Sequence, residues 1–190
     1  MAPRLRSGGS RASGPVIAAK EKDVQSSFRV QVCKDYLVFA SAHFITFRGH
    51  QCETLHGHNY RVGVMVEGAV DDECLFVLDF SILKRIVRQL VDAIDHKVLL
   101  PTRNPKLGYR HEGDKVHVDY FGQPTYVFPS ADCAMLPVQN STAEMLAEYL
   151  GNQVREQLAT EGFTHLTVLE LEVEENFGQS ATYRVSLAGD

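Results

Sequence analysis

The chain has 190 residues, 44% hydrophobic and 23% charged, with a formal net charge of −5. That length accommodates one domain with a core of its own, and the negative balance excludes a general attraction to nucleic acid or anionic membrane. An anionic ligand would need a local basic or metal site. No window approaches the roughly 18 apolar residues of a membrane helix. The four cysteines, Cys33, Cys52, Cys74 and Cys133, show neither CxxC spacing nor the density of a secreted scaffold, which fits reduced thiols and a cytoplasmic setting.

Residues 1–26 read as a Gly/Ser-rich disordered tail. Arg4, Arg6, Arg11 and Lys20, with no acid among the first twenty residues, leave an organelle transit peptide as the other reading. From about Ser27 a single domain is expected to residue 190. FRVQVCKDYLVFASAHFI alternates as one or two strands, with His43 near the end. Phe47 to Leu55 is polar, contains Gly49 and reads as a loop. HNYRVGVMVEG then alternates cleanly, with Tyr60, Val62, Val64 and Val66 on one face.

Phe80 to Ile94 has the spacing of an amphipathic helix. Phe80, Leu83, Val87, Leu90 and Ile94 form its apolar face, and Asp79 its N-cap. Asp95 and His96 follow directly. Pro101 to Pro137 is less regular; KVHVDYF and TYVF, joined by GQP, predict a hairpin. Ser141 and Glu144 have capping-box spacing before a second helix, whose buried face is Leu146, Tyr149, Leu150, Val154 and Leu158. LTVLELEVE and SATYRVSL predict a final hairpin turning at Phe177–Gly178. The expected class is α+β, an antiparallel sheet with two helices packed on one face.

The candidate chemistry concentrates at His43, His56 and His58. Residues two apart in a strand place both rings on the same side, and three neutral imidazoles with an open fourth position suit a catalytic zinc ion. A lone histidine is more often a satisfied core residue; the HGH that follows makes His43 a ligand candidate. His50 is set aside, and His111, His117 and His165 read as solvent-facing. Cys52 is either a small buried hydrophobe or a functional thiol, and its polar neighbours Gln51, Glu53 and Thr54 favour the second. Asp95 and His96 fit equally a helix terminus and a general acid/base pair. Glu175 follows Glu170, Glu172 and Glu174, and on pattern alone reads as part of a solvated strand face.

Taken together, FASAHF, CETLHGHNYRV, VLDF, IDHKVL, STAEMLAEYL and VEENFGQSATYRV resemble the 6-pyruvoyltetrahydropterin synthase / 6-carboxytetrahydropterin synthase family of the tunnelling fold. The resemblance spans roughly residues 28–187, with a longer stretch at about 101–137 than the family's usual connection. It implies Zn2+ on His43, His56 and His58, Cys52 as catalytic base, and Asp95 and His96 as its proton-handling partners. Glu175 becomes the substrate-binding carboxylate that anchors the pterin.

A pterin triphosphate as substrate, with no nucleic-acid or membrane partner, and a homohexamer of two stacked trimers closing a β-barrel are also implied. The CxxxHGH spacing resembles the carboxytetrahydropterin synthases of the queuosine pathway. Glu53, beside Cys52, stands where a third subgroup carries a glutamate instead, which leaves cleavage to 6-hydroxymethyl-7,8-dihydropterin open. Formation of 6-pyruvoyltetrahydropterin is a further alternative. The competing classes are a non-catalytic zinc or pterin-binding protein and a closed structural zinc site with Cys52 as fourth ligand.

Overall fold

The computed structural model describes residues 26–49 and 51–187. The readings placed on the N-terminal tail and on His50 therefore lie outside the described residues, apart from Ser26. Strands β1 (Phe28–His43) and β2 (His56–Gly68) form a long antiparallel hairpin, from Phe28 opposite Gly68 to His43 opposite His56. The register slips between Cys33 and Val38, and Lys34, Asp35 and Tyr36 stand exposed there. That bulge breaks the alternation, so the segment reads as one strand or two although it is one.

The hairpin continues antiparallel into β8 (Leu166–Asn176) and β9 (Gln179–Ser186). On its other side lie two short strands, β3 (Val98–Pro101) and β7 (Cys133–Leu136), giving the order β7-β3-β1-β2-β8-β9. β3 runs parallel to β1, and β7 parallel to β3. The sheet is therefore mixed, where the sequence suggested a wholly antiparallel one. Four-residue apolar runs such as VLLP and CAML carry too little alternation to announce themselves.

Helix α1 (Phe80–Ile94) has the expected bounds, and the Asp79 carboxylate accepts the Ser81 amide at 2.7 Å. Its buried residues are Leu83, Ile86, Val87, Val91 and Ile94. Phe80 is 53% exposed and Leu90 only half-buried, so the apolar face is rotated from the expected one. Helix α2 (Ala143–Thr160) is capped by Thr142, whose hydroxyl accepts from the Met145 amide, rather than by Ser141. The buried Ser141 hydroxyl is occupied elsewhere, donating to the Phe44 carbonyl at 2.8 Å. Within α2, Leu146, Leu150, Val154 and Leu158 are buried as expected. Ala147 and Gly151 join them, while Tyr149 is only partly buried.

Both helices cover one side of the main sheet, α1 against β1 and β2, α2 against β8 and β9. One continuous core results, from Phe39, Tyr60 and Val62 on the hairpin to Leu171 and Val173 on β8. Burial of side chains this size contributes about 1.5–3 kcal/mol each against an exposed reference. The opposite side is polar: Arg29 and Arg184 both reach Glu170, and Arg61 approaches Glu174.

The stretch between β3 and β7 is a second, three-stranded antiparallel sheet. Its strands are β4 (Leu107–Glu112), β5 (Lys115–Tyr120) and β6 (Gln123–Pro129), in the order β4-β5-β6. The β5–β6 hairpin is the one expected; β4 was not legible. Val116 and Val118 of this side sheet join Phe44 and Leu100 in a separate apolar cluster. His111 and His165 are exposed as expected, whereas His117 is half-buried and 3.3 Å from Glu112.

Candidate metal centre and its surroundings

The ends of β1 and β2 nearest their connecting loop bring the three histidines together. His43 lies opposite His56, and Ser41 opposite His58, so all three rings share the helix-covered side with Phe39 and Tyr60. Gly57 sits between the two β2 histidines, where a Cβ would come 3.1 Å from the Ser41 carbonyl. The ligand-type atoms of His43, His56 and His58 lie within 4.8 Å of one another. Cys52 is not a member of that group.

The hydrogen bonds of the histidines define which nitrogens are available. His43 Nδ1 is 2.7 Å from the Ser141 carbonyl and must donate to it. His56 Nδ1 likewise donates to the Thr54 carbonyl at 2.9 Å. His43 is fully buried, and its Nε2 has no hydrogen-bond partner. Burial holds the His43 imidazole below its ordinary pKa, and its two neighbouring imidazoles push the same way, against the Ser141 carbonyl and Glu175. A neutral ring with its proton on Nδ1 points the lone pair of Nε2 inward.

That lone pair faces a carboxylate. Glu175 Oε1 lies 3.4 Å from His43 Nε2 and 3.8 Å from His58 Nε2. A register irregularity between Glu174 and Asn176 leaves Glu175 outside the regular ladder. Glu175 has the parity of Leu171 and Val173, not of Glu170, Glu172 and Glu174, which explains why it leaves the polar face. Tyr60, fully buried and stacked on Phe39 at 4.6 Å, donates its hydroxyl to the same oxygen at 3.4 Å. Burial, then the Glu175 charge, raises the Tyr60 hydroxyl far above its ordinary pKa, so it stays a donor. Converging nitrogen lone pairs beside a carboxylate, with an orphaned buried nitrogen, suit a cation. The residues fit a divalent metal on three imidazoles.

Cys52 and Glu53 precede this centre and turn in different directions. Cys52 forms an isolated bridge with Thr46 and is half-buried against the side-sheet cluster. The polar sequence around it suggested otherwise. Burial raises the thiol pKa, Glu53 adds to the rise, and Lys106 opposes it. Glu53 Oε2 is 3.8 Å from His56 Nδ1, buried and without a hydrogen-bond partner.

Asp95 and His96 stand at the end of α1. Asp95 accepts the Ala40 amide at 2.8 Å and contacts His96 Nδ1 at 2.9 Å. The Ala40 amide bond, followed by His96, holds the Asp95 carboxyl below its ordinary pKa. His96 has a left-handed backbone (φ 57°) and a largely exposed ring, 83% accessible. Its amide is tied to the Ala40 carbonyl at 2.8 Å, which offsets the cost of that conformation. His96 borders an open depression with His58, Ala40, Ala42, Gly57 and Lys97.

Sequence reasoning missed Tyr60 and Ser141 at the centre. The signal for Tyr60 was its parity with His56 and His58; Ser141 acts through its backbone carbonyl and left no signal.

A three-imidazole centre at the loop end of a β-hairpin, backed by a carboxylate and a tyrosine, defines an α+β protein with a site that could hold a metal ion. A family model for 6-pyruvoyl tetrahydropterin synthase matches residues 33–186, and the chain belongs to that family, one of pterin synthase and lyase-type enzymes. It is 36% identical over 148 residues to a Methanocaldococcus jannaschii protein, covering 78% of this chain and 90% of that one. That relative bears provisionally the name 6-carboxy-5,6,7,8-tetrahydropterin synthase. A Rickettsia typhi protein with the same name is 26% identical over 145 residues, covering 76% of this chain and 94% of its own. The crystal structure of Plasmodium vivax 6-pyruvoyl tetrahydropterin synthase superposes with a TM-score of 0.80 at 31% identity, covering 85% of this chain and 99% of that one.

Proposed function

We propose that the protein is a zinc-dependent lyase that converts 7,8-dihydroneopterin triphosphate and water to 6-carboxy-5,6,7,8-tetrahydropterin, acetaldehyde and triphosphate. The observation that carries the reading is the set of three converging imidazoles with a buried, unpartnered His43 Nε2. The names of the M. jannaschii and R. typhi relatives support the carboxy branch, which points to queuosine or deazapurine biosynthesis.

His43, His56 and His58 would hold Zn2+, which would supply Lewis acidity at the hydroxyls of the substrate side chain. Cys52 removes a carbon-bound proton as general base, and His96, oriented by Asp95, returns protons. Glu175 accepts hydrogen bonds from the pterin edge, with Tyr60 holding its carboxylate. The reactive groups lie on separate elements, and His96 borders the open side of the sheet. A homohexamer of two trimers, implied by the family resemblance, belongs to this reading, with Asp95 and His96 of one subunit serving Cys52 of the next. Four free cysteines suit a cytoplasmic setting, and no helix among the described residues is long and apolar enough to cross a membrane.

A second reading, cleavage to 6-hydroxymethyl-7,8-dihydropterin with Glu53 as the base, is favoured by one observation. Glu53 approaches His56 with a buried, unpartnered oxygen. The P. vivax relative has been solved as a catalytic-residue mutant with glutamate replaced by alanine. Product analysis of Cys52→Ala and Glu53→Ala separates the two. Loss of the carboxy product in Cys52→Ala alone supports the first; loss of product in Glu53→Ala alone supports the second.

A further inference from the structure

We infer that the side sheet β4–β6, with the residues leading into and out of it, is a positioning element for the segment that carries Cys52 and Glu53. Tyr126 and Lys106 are its principal contact residues. The inference rests on the reading of Cys52 or Glu53 as the general base.

Among the described residues between Phe44 and His56, none belongs to a helix or a named strand. The segment's own backbone bonds include Phe47 to Gln51 at 2.8 Å and Glu53 to Ile45 at 2.8 Å, beside the Thr46–Cys52 bridge. Side chains from residues 104–140 supply further restraint. Asn104, only 5% exposed, donates to the Thr46 hydroxyl at 2.9 Å. Asn140 grips the Thr46 backbone from both sides, accepting its amide at 3.2 Å and donating to its carbonyl at 3.1 Å. Lys106 donates to the Phe47 carbonyl. Tyr126 accepts the Leu55 amide at 3.3 Å, and its ring stacks on Phe44 at 5.5 Å. The segment is therefore tied at its start by Asn104, Asn140 and Lys106, and at its end by Tyr126.

Register is what these ties protect. Neighbouring residues of an extended chain project to opposite sides. Here Cys52 turns to the cluster beside Tyr109 and Phe128, and Glu53 turns to His56. A one-residue slip would exchange the two. Holding Thr46, Phe47 and Leu55 fixes the side to which each of the two candidate bases turns.

The test uses the full chain and the variants Tyr126→Phe and Lys106→Met, which remove a tether but keep a ring or an aliphatic stem. Iodoacetamide alkylation of Cys52 is followed by site-resolved mass spectrometry, with exposed Cys33 as internal reference, alongside bound metal and turnover. Loss of one such hydrogen bond predicts a roughly five-fold rise in the Cys52-to-Cys33 rate ratio, with metal content unchanged and kcat falling while KM holds. An unchanged ratio in both variants overturns the inference, and so does a rise seen only with metal loss or unfolding. A raised ratio in a protein whose wild type turns over no pterin would support the positioning role and sink the proposed reaction instead.

Discussion

The imidazole of His43 and the carbonyl of Ser141, 98 positions apart in sequence, are joined by a 2.7 Å hydrogen bond. This contact ties the N-terminal end of α2 to the tip of the β1–β2 hairpin and fixes the tautomer of a buried ring. With Nδ1 donating, Nε2 can only accept, and it faces His58 and Glu175 rather than solvent. The ring is thus held as a lone-pair donor turned toward the other two imidazoles.

Removal of that ring should empty the centre. His43→Ala and His58→Ala are expected to bind less than about a tenth of the metal held by the wild type, which should carry about one zinc per chain. Metal analysis after dialysis checks this. Full occupancy in either variant would remove that histidine from the ligand set.

Glu175 sits 3.4 Å from His43 Nε2 and is assigned to the pterin rather than to the metal. Glu175→Gln should keep its zinc and lose about 2 kcal/mol of pterin binding, roughly thirty-fold in Kd. Calorimetric titration with a dihydropterin, paired with metal analysis, separates the roles. Metal loss with unchanged pterin affinity would make Glu175 a ligand.

The site was only partly legible in the sequence. His43, His56 and His58 could be read because a strand has period two and the HGH spacing declares it. Glu175 was hidden because three glutamates of the opposite parity precede it on the polar face, and the irregularity at the end of β8 has no compositional mark. Cys52 was judged by polar neighbours, yet its environment is built by Val116, Tyr126 and Phe128 from far along the chain. α1 was read to the residue from its cap and period, but Phe80 and Leu90 were assigned to a face that Ile86 and Val91 occupy. Parallel β3 and β7 were missed because two four-residue strands take their identity from their neighbours.

Asp95 gives a pH dependence of stability. Its carboxyl titrates below the ordinary value of 3.8, chiefly because of the Ala40 amide and then His96. A depressed folded-state pKa contributes stability that is present above the unfolded value and is lost as pH falls through the folded one. Asp95→Asn should therefore be less stable than wild type by a constant margin near neutrality, and the margin should shrink below about pH 4. Urea midpoints at several pH values test this; a margin independent of pH would contradict it.

Gly151 is an α2 glycine enclosed by β9 and β8. A Cβ there would meet Tyr183 Cδ1 at 2.6 Å and Leu171 Cβ at 3.4 Å. Gly151→Ala gains about 1 kcal/mol of helix propensity and incurs overpacking of about 1–3 kcal/mol. The expected net loss is about 1 kcal/mol, visible as a lower urea midpoint at unchanged slope. A more stable variant would mean that the Tyr183 ring yields freely.

The central claim is that this centre carries out side-chain chemistry on a pterin triphosphate. The direct measurement is incubation of the zinc-loaded protein with 7,8-dihydroneopterin triphosphate and identification of all products by mass. The account predicts 6-carboxy-5,6,7,8-tetrahydropterin with equimolar acetaldehyde and triphosphate. Substrate recovered unchanged from a tightly bound complex would contradict it and leave a pterin-binding protein; 6-hydroxymethyl-7,8-dihydropterin as sole product would transfer the base from Cys52 to Glu53.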